Sequence, residues 1–226
     1  LRDAATVLST ARRQAASRLA QQVEAQFPGL GLGAGKFHVV LSPRAEVGAM
    51  GAEDVEFRVA LNVGHEARAL SRVASGGELA RVMLALKTIL ARVDRVPTLI
   101  FDEVDAGIGG KVGQQVGDAM RRVAEHHQVF AITHLPQIAS RAHHHILVQK
   151  AAKGGVTTAD IAVLDGDARV EEIARMLGGD ADSATSRAHA REQLATASVA
   201  PAPAARAVPA TAPRGAGTSA RSPRRA

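Results

Sequence analysis

Thr98-Leu-Ile-Phe-Asp-Glu-Val-Asp105 is a short apolar run that stops on two adjacent carboxylates, Asp102 and Glu103. Bounded by Pro97 and by charge, it predicts a strand buried on both faces, as in a parallel sheet, with the acids at its carboxyl end. Open α/β sheets bind their ligands at that end. Neighbouring side chains diverge on extended backbone, so the two acids can serve different partners. Such a pair suits nucleotide hydrolysis: one carboxylate holds a hydrated Mg²⁺ and the other orients or deprotonates the attacking water. Taken alone, the stretch reads more simply as a strand ending in a solvated acidic turn.

Upstream of it, Ser75-Gly76-Gly77-Glu78 leads into Leu79, Val82, Met83, Leu86, Ile89 and Leu90, an i, i+3, i+4, i+7 stripe without a breaker. A helix therefore starts here and runs towards Arg92. Ser75 and Glu78 have the spacing of a capping box. The same atoms allow a second reading: two glycines before a helix start leave backbone amides bare, and with the helix dipole behind them they suit a phosphate.

Downstream, Val104 to Gly110 is a Gly-rich turn containing Asp105, and Gly113 to His126 is a helix candidate. Gln128 to Ile132 predicts a second buried strand, closed by Thr133-His134, so His134 stands beside the strand that carries Asp102. Leu135 to Ala142 predicts a short helix. Ile146 to Lys150 and Val156 to Leu164 predict a hairpin turning at Gly154-Gly155, and Val170 to Leu177 and Ser183 to Leu194 two further helices. The run His143-His-His145 has alternating side chains if extended, and no second cluster supplies further ligands, so it reads as solvated histidines rather than a metal site.

The chain begins with a helix from Leu1 to about Gln26, with a seam at Leu1, Ala4, Leu8, Ala11, Ala15, Leu19 and Val23 that fits the end of a coiled coil or a helix packed on a sheet. It starts inside that pattern with no initiating Met, which points to a segment upstream. Phe27 to Lys36 mimics a phosphate loop, but Leu30 stands where a Walker A loop needs its first Gly, and Phe37 where it needs a hydroxyl. It reads as a flexible turn. Phe37 to Leu41 and Val55 to Leu61 then predict a half-exposed antiparallel pair joined by a polar, Gly-containing loop.

Composition excludes several classes. With no Cys in 226 residues, a disulfide framework and a Cys metal site are ruled out. No run approaches the ~18 apolar residues of a membrane span, and the first residues lack the compact apolar core of a signal peptide, which makes a cytoplasmic protein the expectation. Net charge is +6, yet five arginines and no acid lie from Val199 onward, so the body is nearly neutral. That Ala/Pro/Arg tail, 199–226, cannot bury enough apolar surface to order itself; its arginines suit salt-sensitive phosphate affinity or simple solubilisation.

Taken in order, Ser75-Gly-Gly-Glu78 opening a helix, a strand ending Asp102-Glu103, Asp105 just beyond and His134 after the next strand resemble the carboxyl-terminal half of an ABC-type ATPase head, with signature motif, Walker B, D-loop and switch histidine. The wording Val73-Ala-Ser-Gly-Gly-Glu-Leu-Ala-Arg81, Phe101-Asp-Glu-Val-Asp-Ala-Gly-Ile-Gly-Gly110, Thr133-His-Leu-Pro-Gln137 and Val170-Glu-Glu-Ile-Ala-Arg-Met-Leu-Gly178 is similar to DNA-repair members of the SMC-like group. The resemblance implies an α/β fold: a P-loop-type head, mostly parallel sheet with helices, over residues 27–198, following a coiled-coil return helix at 1–26.

It implies ATP and Mg²⁺ as ligands, with ATP sandwiched between two heads of a homodimer. Ser75, Gly76, Gly77 and Glu78 would then meet the phosphates held by the opposing head, and Asp105 would reach across to it. Asp102 would support Mg²⁺ through water, Glu103 would polarise the attacking water, and His134 would contact the γ-phosphate. DNA would be the partner of the full-length protein, acting on double-strand breaks at the nucleoid, and no membrane is involved. Walker A and the Q-loop glutamine would come from an amino-terminal half, since this chain has neither; alone it is expected to bind ATP weakly and not to turn it over. Two other readings share part of the pattern: the ATPase subunit of a membrane transporter, which would carry its Walker A loop in the preceding region, and a non-catalytic docking module.

Overall fold

The structure, a computed structural model, describes residues 1–62, 64–153, 156–178 and 183–197, with backbone alone for 151–153, 156 and 157. The first helix, α1 (Arg2–Gln26), lies along a hairpin of β1 (Lys36–Gly48) and β2 (Gly51–Ala60), to which the short β3 (Arg68–Ala69) adds a third antiparallel strand. Then follow α2 (Gly76–Leu90), β4 (Thr98–Phe101), α3 (Gly110–Ala124), β5 (Gln128–Ala131) and α4 (Pro136–Ala139). A second hairpin, β6 (His145–Lys153) and β7 (Val156–Leu164), precedes α5 (Gly166–Met176) and α6 (Ala184–Ala197). Its turn at 154–155 and the tail from residue 198 lie outside the described residues.

The parallel pair expected around the acids is there: β4 runs beside β5 from Thr98↔Gln128 to Phe101↔Ala131. Among the described residues parallel pairing is limited to these two strands, and the other two sheets are antiparallel. Burial is also one-sided rather than on both faces. Phe101 is buried and Leu99 and Val129 pack on the core, whereas Ile100 is 70% exposed, Ile132 60% and Phe130 42%. A two-stranded sheet with its helices gathered on one side leaves the alternate side chains uncovered.

The core joins Phe27, Leu30, Leu32, Phe37, Val82, Leu84, Val104, Val116 and Val123. Phe27 to Lys36 is thus not a flexible turn. A 3₁₀ turn at Pro28–Leu30 drives Leu30 inward, and the amides of Leu30 and Leu32 both donate to Phe27 O at 3.0 Å. Gly31 has φ +69°, and a Cβ there would lie 2.9 Å from Val112 Cγ1, so both the backbone sign and the fit against α3 call for glycine.

The seam on α1 holds at Leu19 and Val23, which pack on the core, and is displaced over the first half of the helix. Leu1, Ala4, Leu8, Ala11 and Ala15 are exposed, while Ala5, Ser9 and Val23 are buried. The face one residue on carries Ala5, Ser9 and Ala16, whose small side chains let the hairpin approach the helix closely. Arg12 fastens it by donating to Met50 O at 2.7 Å. The strands in turn run further than their apolar residues, to a two-residue turn at Ala49-Met50: pairing continues through Ser42↔Asp54 and Pro43↔Glu53, breaks register between Pro43 and Gly48, and closes at Gly48↔Gly51.

Two smaller apolar units complete the molecule. Ile146, Val148, Ile161 and Val163 line the exposed face of the second hairpin. A second core holds Ala139, Val170, Ile173, Ala174 and Ala190, where α5 and α6 close on α4. Arg169 joins these parts by donating to the carbonyls of Ala139 and Ala142 at 3.2 and 2.6 Å.

The histidine run is not simply solvated. His144 is exposed, but His143 and His145 are half-buried on one face, with His143 Nε2 and His145 Nδ1 buried and unpartnered. Burial, then the charges of Arg121, His144 and Arg169, hold His143 below its ordinary value of 6.5. Burial and Arg169 do the same to His145, against Glu172. The folded chain therefore binds fewer protons here than the unfolded chain as pH falls below 6.5, so stability is full above that value and declines beneath it. The melting temperature is expected to drop between pH 7.5 and 5.5, and the double variant His143→Gln/His145→Gln to show a smaller drop.

Candidate functional site

At the start of α2, Ser75 has extended backbone (φ −99°, ψ 122°), and its Oγ accepts from Glu78 N–H at 3.3 Å. This satisfies one of the free amides of a helix start. Gly76 and Gly77 then pass directly over the turn that follows β4. A Cβ on Gly76 would run into the Glu103 carboxylate, and one on Gly77 would sit 2.8 Å from Ala106 Cβ and 2.9 Å from Glu103 O. At Gly77 α2 and the acidic turn touch backbone to backbone, whereas Gly76 meets only the end of the Glu103 side chain.

That turn is held from α2 by Arg81, one full turn further along the helix. Its buried guanidinium donates through Nη1 to Val104 O at 3.2 Å and Ala106 O at 2.9 Å. Burial lowers the pKa of this arginine, an effect that Glu78 opposes. The sequence assigns it no role; its signal is a charge at a core-facing position of an otherwise apolar helix, whose burial the two carbonyl acceptors offset at Nη1 while Nε has no partner.

Within the turn, Asp102 Oδ1 accepts from Glu103 N–H at 2.9 Å, and Ala106 N–H closes on Glu103 O at 3.0 Å. Glu103 has φ +56°, the one positive value at a residue other than glycine among the described residues. A glutamate in the left-handed region costs of the order of 1 kcal/mol, and such strain gathers at functional sites. Asp102 and Glu103 are both exposed at the strand end.

Asp105 behaves otherwise. It is 5% exposed, and its Oδ2 accepts from Thr133 Oγ1 at 2.6 Å and His134 N–H at 2.9 Å, with His134 Nδ1 at 3.0 Å. In the single chain Asp105 is held by its own neighbours, because parallel pairing brings the turns after β4 and β5 together. Ile132 N–H donates to Phe101 O at 2.9 Å and keeps the two strand ends level. The His134 side chain is 77% exposed.

The structure thus gathers the sequence candidates into two adjoining groups, Ser75, Gly76, Gly77 and Glu103 in one, Asp105 and His134 in the other, with Asp102 beside Glu103. Glu78 enters through its backbone amide. Thr133 joins Arg81 as a participant the sequence left unassigned. Among the described residues no three His, Cys, Asp or Glu side chains cluster to hold a metal. Mg²⁺ fits Asp102 only as an ion that keeps waters and phosphate oxygens as its other ligands, which is its usual habit. No helix among the described residues is long and apolar enough to cross a membrane.

No family model matches the chain. It is 46% identical over 197 residues to the DNA repair protein RecN of Treponema pallidum, across 84% of this chain and 34% of that protein. To the DNA repair protein RecN of Streptomyces coelicolor it is 42% identical over 205 residues, across 85% of this chain and 36% of that protein. The chain therefore spans about a third of the length of the curated relatives it matches. Among solved structures, the Smc head domain with a coiled coil and joint from Pyrococcus yayanosii superposes with a TM-score of 0.50 over 71% of this chain and 28% of that one, at 20% identity. That likeness concerns the fold, a P-loop ABC ATPase head. On relatives of this identity across most of its length, the chain belongs to the RecN family.

Proposed function

We propose that this chain is the carboxyl-terminal lobe of an SMC-like ATPase head that hydrolyses ATP in the service of DNA repair. The observation that carries the reading is the contact of Gly76 and Gly77 with the Glu103 turn. It joins a phosphate-binding helix start to a strained carboxylate at the end of a parallel strand. In this reading Ser75, Gly76, Gly77 and the Glu78 amide meet the phosphates of an ATP bound by a second head, so that ATP lies between two copies. Glu103 polarises the attacking water, Asp102 supports Mg²⁺ through water, and His134 faces the γ-phosphate. When bound, the ion supplies charge neutralisation between the phosphates. Residues 1–26 are the returning arm of a coiled coil, 27–198 the lobe, and 199–226 a tail of its own kind.

Walker A and the outgoing arm belong to an amino-terminal half. The exposed Ile100, Phe130 and Ile132 support this, as an apolar sheet face beside the acids that such a segment would cover. This chain alone is expected to bind ATP weakly and not to turn it over. The protein is cytoplasmic and nucleoid-associated in this reading, with broken duplex DNA as the partner of the complete molecule. The test is ATP turnover by this chain co-expressed with the amino-terminal half of a RecN protein, with and without linear duplex DNA. Turnover that needs both halves and rises with DNA supports the reading; a well-folded complex without turnover sinks it.

A further inference from the structure

His134 has one nitrogen already spoken for. Its Nδ1 stands 3.0 Å from Asp105 Oδ2, the oxygen that also accepts from Thr133 Oγ1 and from the histidine's own amide. A bare Nδ1 at that distance would set two lone pairs against each other, so Nδ1 carries hydrogen whether the ring is neutral or charged. Asp105 is buried, and the turn bearing it is fixed on its far side by Arg81 through Val104 O and Ala106 O. Thr133 is locked in turn, its Oγ1 accepting from Leu135 N–H at 3.0 Å. The anchor is rigid and inward, while the imidazole it holds is exposed.

We propose that Asp105 is the positioning residue of His134, fixing the imidazole as its Nδ1–H tautomer and turning Nε2 outward as its one working nitrogen. Two consequences follow for the hydrolytic reading, on which they rest. A neutral His134 is an acceptor at Nε2, able to take a hydrogen bond from water but not to give one to phosphate. To meet a phosphate oxygen as a donor it has to be an imidazolium, with a hydrogen on both nitrogens. Asp105 thus acts through His134, within one chain.

The tautomer is measurable without any nucleotide. In the uniformly ¹⁵N-labelled chain at pH 8.5, long-range ¹H–¹⁵N spectra, with His134 assigned by its loss in His134→Gln, should give a pyrrole-type Nδ1 and a pyridine-type Nε2. Asp105→Ala, which removes the acceptor, should abolish that preference, and Thr133→Val should keep it. A pyridine-type Nδ1 in the unaltered chain overturns the proposal, and that measurement needs no variant to fold. So does an unchanged tautomer in Asp105→Ala. In the assembled two-part head, Asp105→Ala should lower kcat about tenfold or more with KM within twofold. A change in KM alone would make Asp105 a ligand contact instead. If the assembled head has no turnover, the hydrolytic reading fails while the tautomer result stands.

Discussion

Glu103→Gln is expected to slow ATP turnover by the two-part head at least about 10²-fold and to let ATP-bound head dimers accumulate. The substitution keeps the shape of the side chain against Gly76 and removes the charge that polarises water; water activation of this kind contributes roughly 10²- to 10⁴-fold. The fold should be undisturbed, because the carboxylate is exposed and the backbone amide still bonds to Asp102 Oδ1. Steady-state phosphate release and size-exclusion chromatography with ATP check both halves of the expectation. Turnover within twofold of the unaltered head would remove Glu103 from the chemistry and leave a docking module as the better account.

Gly77→Ala should damage both stability and turnover, for a steric reason opposite in sign to helix propensity. In an exposed helix this change would stabilise by about 1 kcal/mol. Here the new methyl would lie 2.9 Å from Glu103 O and 2.8 Å from Ala106 Cβ. Neither neighbour is the end of a flexible side chain, so either α2 or the acidic turn must shift. Overpacking of this sort costs roughly 1–3 kcal/mol, equivalent to a fall of several degrees in melting temperature. Any shift also separates the Ser75 amide group from Glu103, so turnover should fall at least about tenfold, in line with what small misplacements do to reaction geometry. A melting temperature equal to or above that of the unaltered chain would mean the two segments are not in fixed contact.

The parts of this molecule that were legible from sequence are those where chemistry and periodicity coincide. The strand ending at Asp102, the helix opening at Ser75 and the second strand ending at Thr133 each carry a local signal, and parallel pairing then brings their ends together. What was not legible depended on partners distant in sequence. The apolar residues of Thr98 to Phe101 do not reveal that Ile100 lies on an uncovered face. Two overlapping stripes run along α1, and only the hairpin decides that Ala5 and Ser9 are the buried ones. Phe27 to Lys36 looks like a linker because of its glycines, although Phe27, Leu30 and Leu32 are core residues. Asp105 and Arg81 are single polar residues whose roles follow from a contact rather than a pattern.

The presence of two separate cores has a consequence for how the molecule opens. Ile138 belongs to the main core and its neighbour Ala139 to the one closed by α5 and α6, so the apolar seam between them is the four-residue α4, beside polar ties such as that from Arg121 to Ala197 O. A seam of one turn transmits little cooperativity, and units so joined exchange their amides at different free energies. The α5–α6 pair is expected to exchange hydrogen by an opening of its own, below the energy that releases the amides of α2. His134 stands two residues before that seam, on the boundary between the unit expected to open first and the one expected to open last.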